Sequence, residues 1–243
     1  MFIRSTLLAP YRDLLHGFTD RSHGNIAFHV GDAQKNVHAN QSRLAEAFGY
    51  ERQRLVHMKQ LHSDRIVTVG EQEGYASPPE CDAVITDESE RPLMVMVADC
   101  TPILLYDPLQ KVVAAVHAGR TGALSNISGK TVERMRETFG CRGEDLLAVL
   151  GPSIAACCYE VGETIAEEAA GGGHAHAVKE RGGRYFLDIN AIIRRQFLEA
   201  GIASEHIETM PHCTACENGR FFSYRADRQA TGRFAGVIML KAD

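Results

Sequence analysis

The sequence predicts one mixed α/β (α+β) domain over residues 1–243. Three observations carry this reading. Apolar runs of strand length recur along the chain, and amphipathic segments of helical period lie among them. The 243 residues also suffice to bury one large core without help from disulfides or a structural metal.

The strand runs are residues 65–69, 83–86, 93–98, 103–106, 112–116, 146–150, 221–224 and 235–240, each bounded by turn residues. Several are continuous rather than alternating, which predicts strands covered on both faces. Three helices follow from periodicity. After Asp188, a good N-cap, Ile189, Ile192, Ile193 and Phe197 share one stripe, and Gly201 stops it. From Ser125, the residues Thr131, Val132, Met135 and Phe139 do the same up to Gly140. A third helix is predicted over 36–48. Residues 167–176, EEAAGGGHAH, read as a surface loop because of three successive glycines, and 74–79, GYASPP, is a weaker break. Strands and helices alternate too irregularly for a βαβ repeat.

Composition narrows the function classes. A net charge of −5 and a pI near 6.1 predict no broad basic face, so a nucleic-acid partner is not expected. No apolar run approaches the ~20 residues of a membrane helix, and the N-terminal run at 7–9 is too short for a signal-peptide core. The expectation is a cytoplasmic protein without a membrane partner. Seven irregularly spaced cysteines predict buried thiols or ligands rather than a disulfide framework. Phosphate-loop, dinucleotide-binding and Gly-x-Ser-x-Gly motifs do not occur.

Three segments share one design. KQLHS at 59–63, VADCTP at 97–102 and VVAAVHAG at 112–119 each place a metal-capable side chain where an apolar run meets a loop. His62, Cys100 and His117 from these segments would form a His₂Cys set. Three protein ligands leave a fourth position on zinc open, the arrangement of catalytic sites. The competing reading is three separately packed residues, and periodicity does not decide between them. His212-Cys213-x-x-Cys216 is half a zinc site, and Cys157-Cys158 would diverge if they lay on a strand. Idle or buried thiols are the expected reading there, and a mobile surface pair at His174 and His176. Arg43, Arg120, Arg225 and Arg233 lie in or beside the motif segments and suit anionic substrates. Asp82 and Asp99 flank apolar strands, where either could orient a ligating histidine or carry a proton.

Read together, QLHSDRIV (60–67), ADCTPILLYDP (98–108), VAAVHAG (113–119), GPSIAACCYEVG (151–162), FLDINAIIRRQF (186–197) and FFSYRADRQATGRFAGVIML (221–240) resemble the YfiH/laccase-domain family. That family includes purine nucleoside phosphorylases of the multifunctional type. HGFTDRSHGNIAFHVGD (16–32) and NVHANQSRL (36–44) resemble its N-terminal segments, so the likeness spans nearly the whole chain. It implies a layered α/β/β/α arrangement with mixed sheets. It implies metal ligands at His62, Cys100 and His117 holding zinc, with copper as an alternative on the same donors. The implied reactions are phosphorolysis of adenosine, inosine, guanosine and methylthioadenosine, and deamination of adenosine. A purine nucleoside and phosphate are the implied partners of a monomer or small homo-oligomer. Within that frame Arg43 is the first candidate for the phosphate with Arg225 behind it, Asn25 is a further substrate contact, and Asp99 is the general acid/base. Two rivals use the same residues: a metal-free hydrolase of a peptidoglycan precursor with Cys100 as nucleophile and His117 as base, and a single-copper polyphenol oxidase. The chain departs from the family at Arg120-Thr121, where a tryptophan and a basic residue are usual, at Asn40-Gln41, and at Tyr224-Arg225-Ala226-Asp227. These changes touch expected substrate contacts and leave the three ligands intact.

Overall fold

The computed structural model describes residues 2–70 and 72–242. Its elements, in chain order, are β1 (Leu14–Phe18), α1 (Gln34–Phe48), β2 (Val56–His57), β3 (Ile66–Thr68), β4 (Ala83–Thr86), β5 (Leu93–Val97), β6 (Thr101–Asp107), β7 (Val112–Ala118), α2 (Arg120–Leu124), α3 (Ile127–Phe139) and β8 (Leu147–Leu150). There follow β9 (Glu160–Val161), α4 (Glu163–Ala169), β10 (Val178–Arg181), β11 (Arg184–Leu187), α5 (Ile189–Glu199), β12 (Ile207–Thr209) and β13 (Phe234–Leu240). No helix among the described residues is long and apolar enough to cross a membrane.

Two mixed sheets stack face to face. One has the order β12-β8-β6-β7-β4-β3, the other β1-β13-β5-β2. Successive side chains on a strand point to opposite faces, and the core divides along that parity. Leu104, Tyr106, Val113, Ala115 and Val149 of the six-stranded sheet meet Phe18, Val95, Val97, Phe234 and Ile238 of the four-stranded sheet in one cluster. Their neighbours Ile103, Leu105, Ala114, Val116 and Leu150 turn outward onto Val132 and Met135 of α3 and Ile192, Ile193 and Phe197 of α5. On the far side, Met94, Met96, Val237 and Met239 meet Leu44 and Phe48 of α1. The result is the α/β/β/α layering, with mixed sheets inside and helices outside. Both faces of the central strands are covered, which is why their sequences read as unbroken apolar runs.

A small third sheet, β10-β11-β9, stands outside this stack. Its β10–β11 hairpin pairs Arg181 with Arg184 across Gly182-Gly183. Both glycines have positive φ, 58° and 72°, the backbone that a two-residue turn matching strand twist demands.

Three sequence expectations need correction. Residues 221–224 form no strand. Ser223 Oγ donates to Asp99 at 2.8 Å and accepts from the Ala226 amide at 3.1 Å, and the Ser223 amide donates to Asp227 at 3.3 Å. These bonds, two of them local, replace a sheet ladder with a run of turns. Residues 167–176 are not a loop throughout. The helix runs to Ala169 because Ala166 and Ala169 are buried, and the chain leaves helical geometry only at Gly173, where φ is 89°. The helix expected from residue 36 starts at Gln34.

Candidate metal centre

The pocket opens at one end of the sheet stack. Cys100 lies in the short crossing between β5 and β6, His117 is the penultimate residue of β7, and His62 sits in the turn before β3. β6 and β7 pair antiparallel, with Thr101 opposite Ala118 and Pro102 opposite His117. That register puts Cys100 and His117 side by side, though 17 positions separate them in sequence.

Asp82, immediately before β4, brings in the third residue. Its carboxylate is fully buried and accepts hydrogen bonds from the amides of Leu61 (3.1 Å), His62 (3.0 Å) and Ser63 (2.7 Å) and from Ser63 Oγ (2.7 Å). It also accepts a hydrogen bond from His117 Nδ1–H at 2.8 Å, while its own carbonyl accepts the His117 amide at 2.7 Å. Burial works to raise the Asp82 carboxyl, but the bonds from His117 and Ser63 win and hold it at about 2. Asp82 is thus an anion that fixes the backbone of one imidazole and the tautomer of another. With Nδ1–H committed, His117 offers Nε2 to the pocket.

One donor atom from each of His62, Cys100 and His117 lies within 4.8 Å of the others. Cys100 Sγ is 3.9 Å from His62 Nε2, and the two imidazoles meet edge to face with centroids 4.7 Å apart. Tetrahedral zinc with ordinary Zn–S and Zn–N lengths would set sulfur–nitrogen separations of about 3.5 Å, so the donor set fits one ion with small side-chain movements. Burial opposes a Cys100 thiolate, yet His117 and His62 draw the thiol well below its ordinary range. Burial likewise works against a charged His117, and Cys100 with Asp82 overcomes it and raises the imidazole. Exposure is graded, with His117 buried, Cys100 intermediate and His62 exposed, so the cluster faces open space on the His62 side. Gly119 leaves room for it: a Cβ there would stand 3.1 Å from both Cys100 Sγ and His62 Cδ2. His62 itself has a φ of 58° and Asp99 one of 85°, strained backbone of the kind that gathers at functional sites.

Around the cluster is a cavity of about 850 Å³, within the range of small-molecule sites. Phe28, Tyr159 and Tyr224 supply aromatic faces, and Arg120, Arg225 and Arg233 supply guanidinium groups. Arg225 is braced by the carbonyls of Cys158 (3.3 Å) and Glu160 (3.0 Å) and lies over the Tyr159 ring.

Of the residues expected at the site, His62, Cys100, His117, Asp99 and Arg225 line the cavity. Asp99 is arranged as an anchor. Its oxygens accept from Thr214 Oγ1 (2.6 Å), Ser223 Oγ (2.8 Å) and the Arg225 amide (2.7 Å). Arg43 and Asn25 do not line it. Arg43 donates to Asn40 Oδ1, and Asn40 Nδ2 donates to the Asn25 carbonyl at 2.7 Å. Asn25 spends its amide on the Ala27 backbone and the Arg233 amide. Sequence reasoning missed Phe28, His29, Lys59 and Tyr159 as lining residues; nothing in their spacing sets them apart from ordinary surface residues.

Residues 16–241 match the family described as multi-copper polyphenol oxidoreductase laccase. A purine nucleoside phosphorylase of Corynebacterium glutamicum is 36% identical over 217 residues, covering 89% of this chain and 86% of that protein. One from Streptomyces griseus is 35% identical, covering 96% and 97%. Among solved structures, the hypothetical protein YfiH of Bacillus licheniformis superposes with a TM-score of 0.90 at 29% identity, covering 95% of this chain and 94% of that one. YlmD from Geobacillus stearothermophilus gives 0.88 at 30%, covering 96% and 94%.

Proposed function

The chain belongs to the multi-copper polyphenol oxidoreductase laccase family, and from that premise we propose that it is a zinc-dependent purine nucleoside enzyme. The observation that carries the proposal is a three-donor cluster, His62, Cys100 and His117, in a cavity that also presents three arginines and three aromatic rings. The names of its relatives point to phosphorolysis. We assign to it adenosine, inosine, guanosine and methylthioadenosine as substrates for that reaction, and deamination of adenosine in the same cavity.

In phosphorolysis, a phosphate oxygen bonds to C1′ of the sugar while the C1′–nitrogen bond breaks. The electron pair leaves with the purine, which takes up a proton. The site must therefore hold an anion close to the sugar and grip a flat heterocycle. Arg120, Arg225 and Arg233 suit the first task, since guanidinium groups pair with phosphate oxygens through two parallel hydrogen bonds. Phe28, Tyr159 and Tyr224 suit the second. Asp99 positions Arg225 through its backbone amide, and Asp82 keeps His117 and the His62 turn in place. Bound zinc would supply Lewis acidity at the cavity floor. Among the described residues, the cluster that contains imidazole donors supplies three ligands, enough for one ion rather than several coppers.

A second reading rests on the lowered Cys100 thiol beside His117, the pairing of a cysteine hydrolase. Metal analysis of the purified protein, followed by incubation with adenosine and phosphate, separates the two. The zinc reading expects adenine and ribose 1-phosphate by chromatography, with none from Cys100→Ala, and a joint loss of metal and turnover in His62→Ala. Turnover that survives in metal-free His62→Ala would instead support the Cys–His pair.

A further inference from the structure

A second group of donors lies outside the cavity. Cys157, Cys158, Cys213 and Cys216 come from two segments far apart in sequence, yet their four sulfurs all lie within 4.8 Å of one another. Cys216 Sγ is 3.3 Å from Cys158 Sγ and 3.6 Å from Cys157 Sγ. A tetrahedron of thiolates around zinc at the usual bond length has an edge of about 3.8 Å. None of the four is in a disulfide.

The backbone explains how they meet. Cys157 and Cys158 are in a turn closed by the amides of Cys158 and Tyr159 on the Ala155 carbonyl, at 2.9 and 3.0 Å. Neighbouring side chains in a turn can point to one side, as those of a strand cannot. Cys213 and Cys216 begin another turn, closed by the Glu217 amide on the Cys213 carbonyl at 2.9 Å. A bridge between Ser153 and Cys213 aligns the two segments, and the Ala155 amide donates to Cys213 Sγ at 3.4 Å. The neighbouring His212 is engaged with Glu217 at 3.0 Å and stands apart from the group.

We propose that these four cysteines bind a structural zinc ion distinct from the His62–Cys100–His117 centre. Four thiolates fill every position of a tetrahedral ion, so the site is closed and has no place for substrate. Zinc with four thiolates carries a net charge of −2. Arg181 and Arg225 donate to the carbonyls of Ala156 and Cys158 in the same turn, which puts positive charge beside it. The ion would join the segment after β8 to the segment after β12. Both serve the cavity wall, because Tyr159 follows Cys158 directly and Thr214, next to Cys213, bonds Asp99. This assignment is independent of the reaction proposed above, since it concerns metal stoichiometry alone.

The test counts metal in the whole protein, prepared under reducing conditions and loaded with zinc alone. Cys100→Ala isolates the second site. It should keep one equivalent of zinc and, with Co²⁺ in place of zinc, show thiolate-to-cobalt charge-transfer absorption. Adding Cys216→Ser or, separately, Cys157→Ser should remove that equivalent and that absorption; both residues are exposed, so neither change disturbs the core. Wild-type protein should lose one equivalent with either serine variant. An unchanged zinc count in both serine variants would overturn the proposal. So would a Cys100→Ala protein that binds no zinc, or one in which thiol titration shows a Cys157–Cys216 or Cys158–Cys216 disulfide as the resting state.

Discussion

His117 Nδ1 and Asp82 Oδ1 stand 2.8 Å apart, and the same carboxylate accepts three consecutive amides from Leu61 to Ser63. One buried anion therefore holds two of the three candidate ligands. Asp82→Asn keeps the shape but turns an NH₂ group toward donors. We expect zinc affinity at the His62–Cys100–His117 centre to fall by roughly 10–100-fold, measured by competition with a chromophoric chelator. Affinity within twofold of wild type would mean that Asp82 does not orient the ligands.

Asp99 offers a different test. Its three donors make it an anchor for the Arg225 turn. In Asp99→Asn one donor faces an amide NH₂, at a cost of about 1–3 kcal/mol. Thermal or urea unfolding should show that loss, and KM for phosphate should rise more than kcat falls. A drop of ~10²-fold or more in kcat at unchanged stability is the signature of a proton carrier, and would support the general acid/base role.

The arginines divide by place. Arg120→Ala and Arg225→Ala should each raise KM for phosphate by about tenfold or more, as expected from losing a charge-assisted hydrogen bond. Arg43, which does not line the cavity, should tolerate alanine with KM for phosphate changed less than twofold. Steady-state kinetics at saturating nucleoside decides this; the reverse ranking would move the anion site to α1.

His16, in β1 and 2% exposed, predicts an acid limit. Its Nε2 accepts the Ser5 amide at 3.2 Å. Burial lowers the imidazole to about 4. The folded value lies below the unfolded 6.5, so the unfolded chain binds the extra proton between them. Stability from a neutral His16 is complete above pH 6.5 and is lost as pH falls toward 4, by roughly 3 kcal/mol at the lower end. His16→Gln keeps an acceptor for Ser5 and does not titrate. Its melting temperature should fall less steeply between pH 6.5 and 4 than that of wild type; parallel slopes would exclude His16.

How far the sequence foretold this molecule depends on what each residue contacts. Helices α3 and α5 were legible because Thr131, Val132, Met135 and Ile189, Ile192, Phe197 all face one core cluster or its edge. The inner strands were legible because both their faces are covered. β1 was not, since LLHGF places a histidine and a glycine in a short buried strand. Nor was 221–224, whose aromatic pair looks strand-like while Ser223 is tied to the distant Asp99 and to the nearby Asp227. The three candidate ligands stood out as residue types at strand ends, but their convergence depends on β6–β7 register and on Asp82, which no spacing records. The four cysteines do not read as one group in the sequence because Cys157 and Cys158 would diverge on a strand, whereas a turn carries them.

The cavity straddles the seam between the two stacked sheets. The strand of His117 belongs to the six-stranded sheet, whereas Arg233 leads into β13 of the four-stranded one, where Phe234 pairs with Val97. The gap between the His62–Cys100–His117 cluster and that guanidinium therefore depends on side chains that do not line the cavity: Phe18, Leu104, Val113 and Phe234 in the dry interior. A volume change there that the fold tolerates can slide one sheet against the other and respace the two charges. The spacing of the cavity's charged groups is thus set partly from the inside, at positions that a survey of cavity residues would overlook.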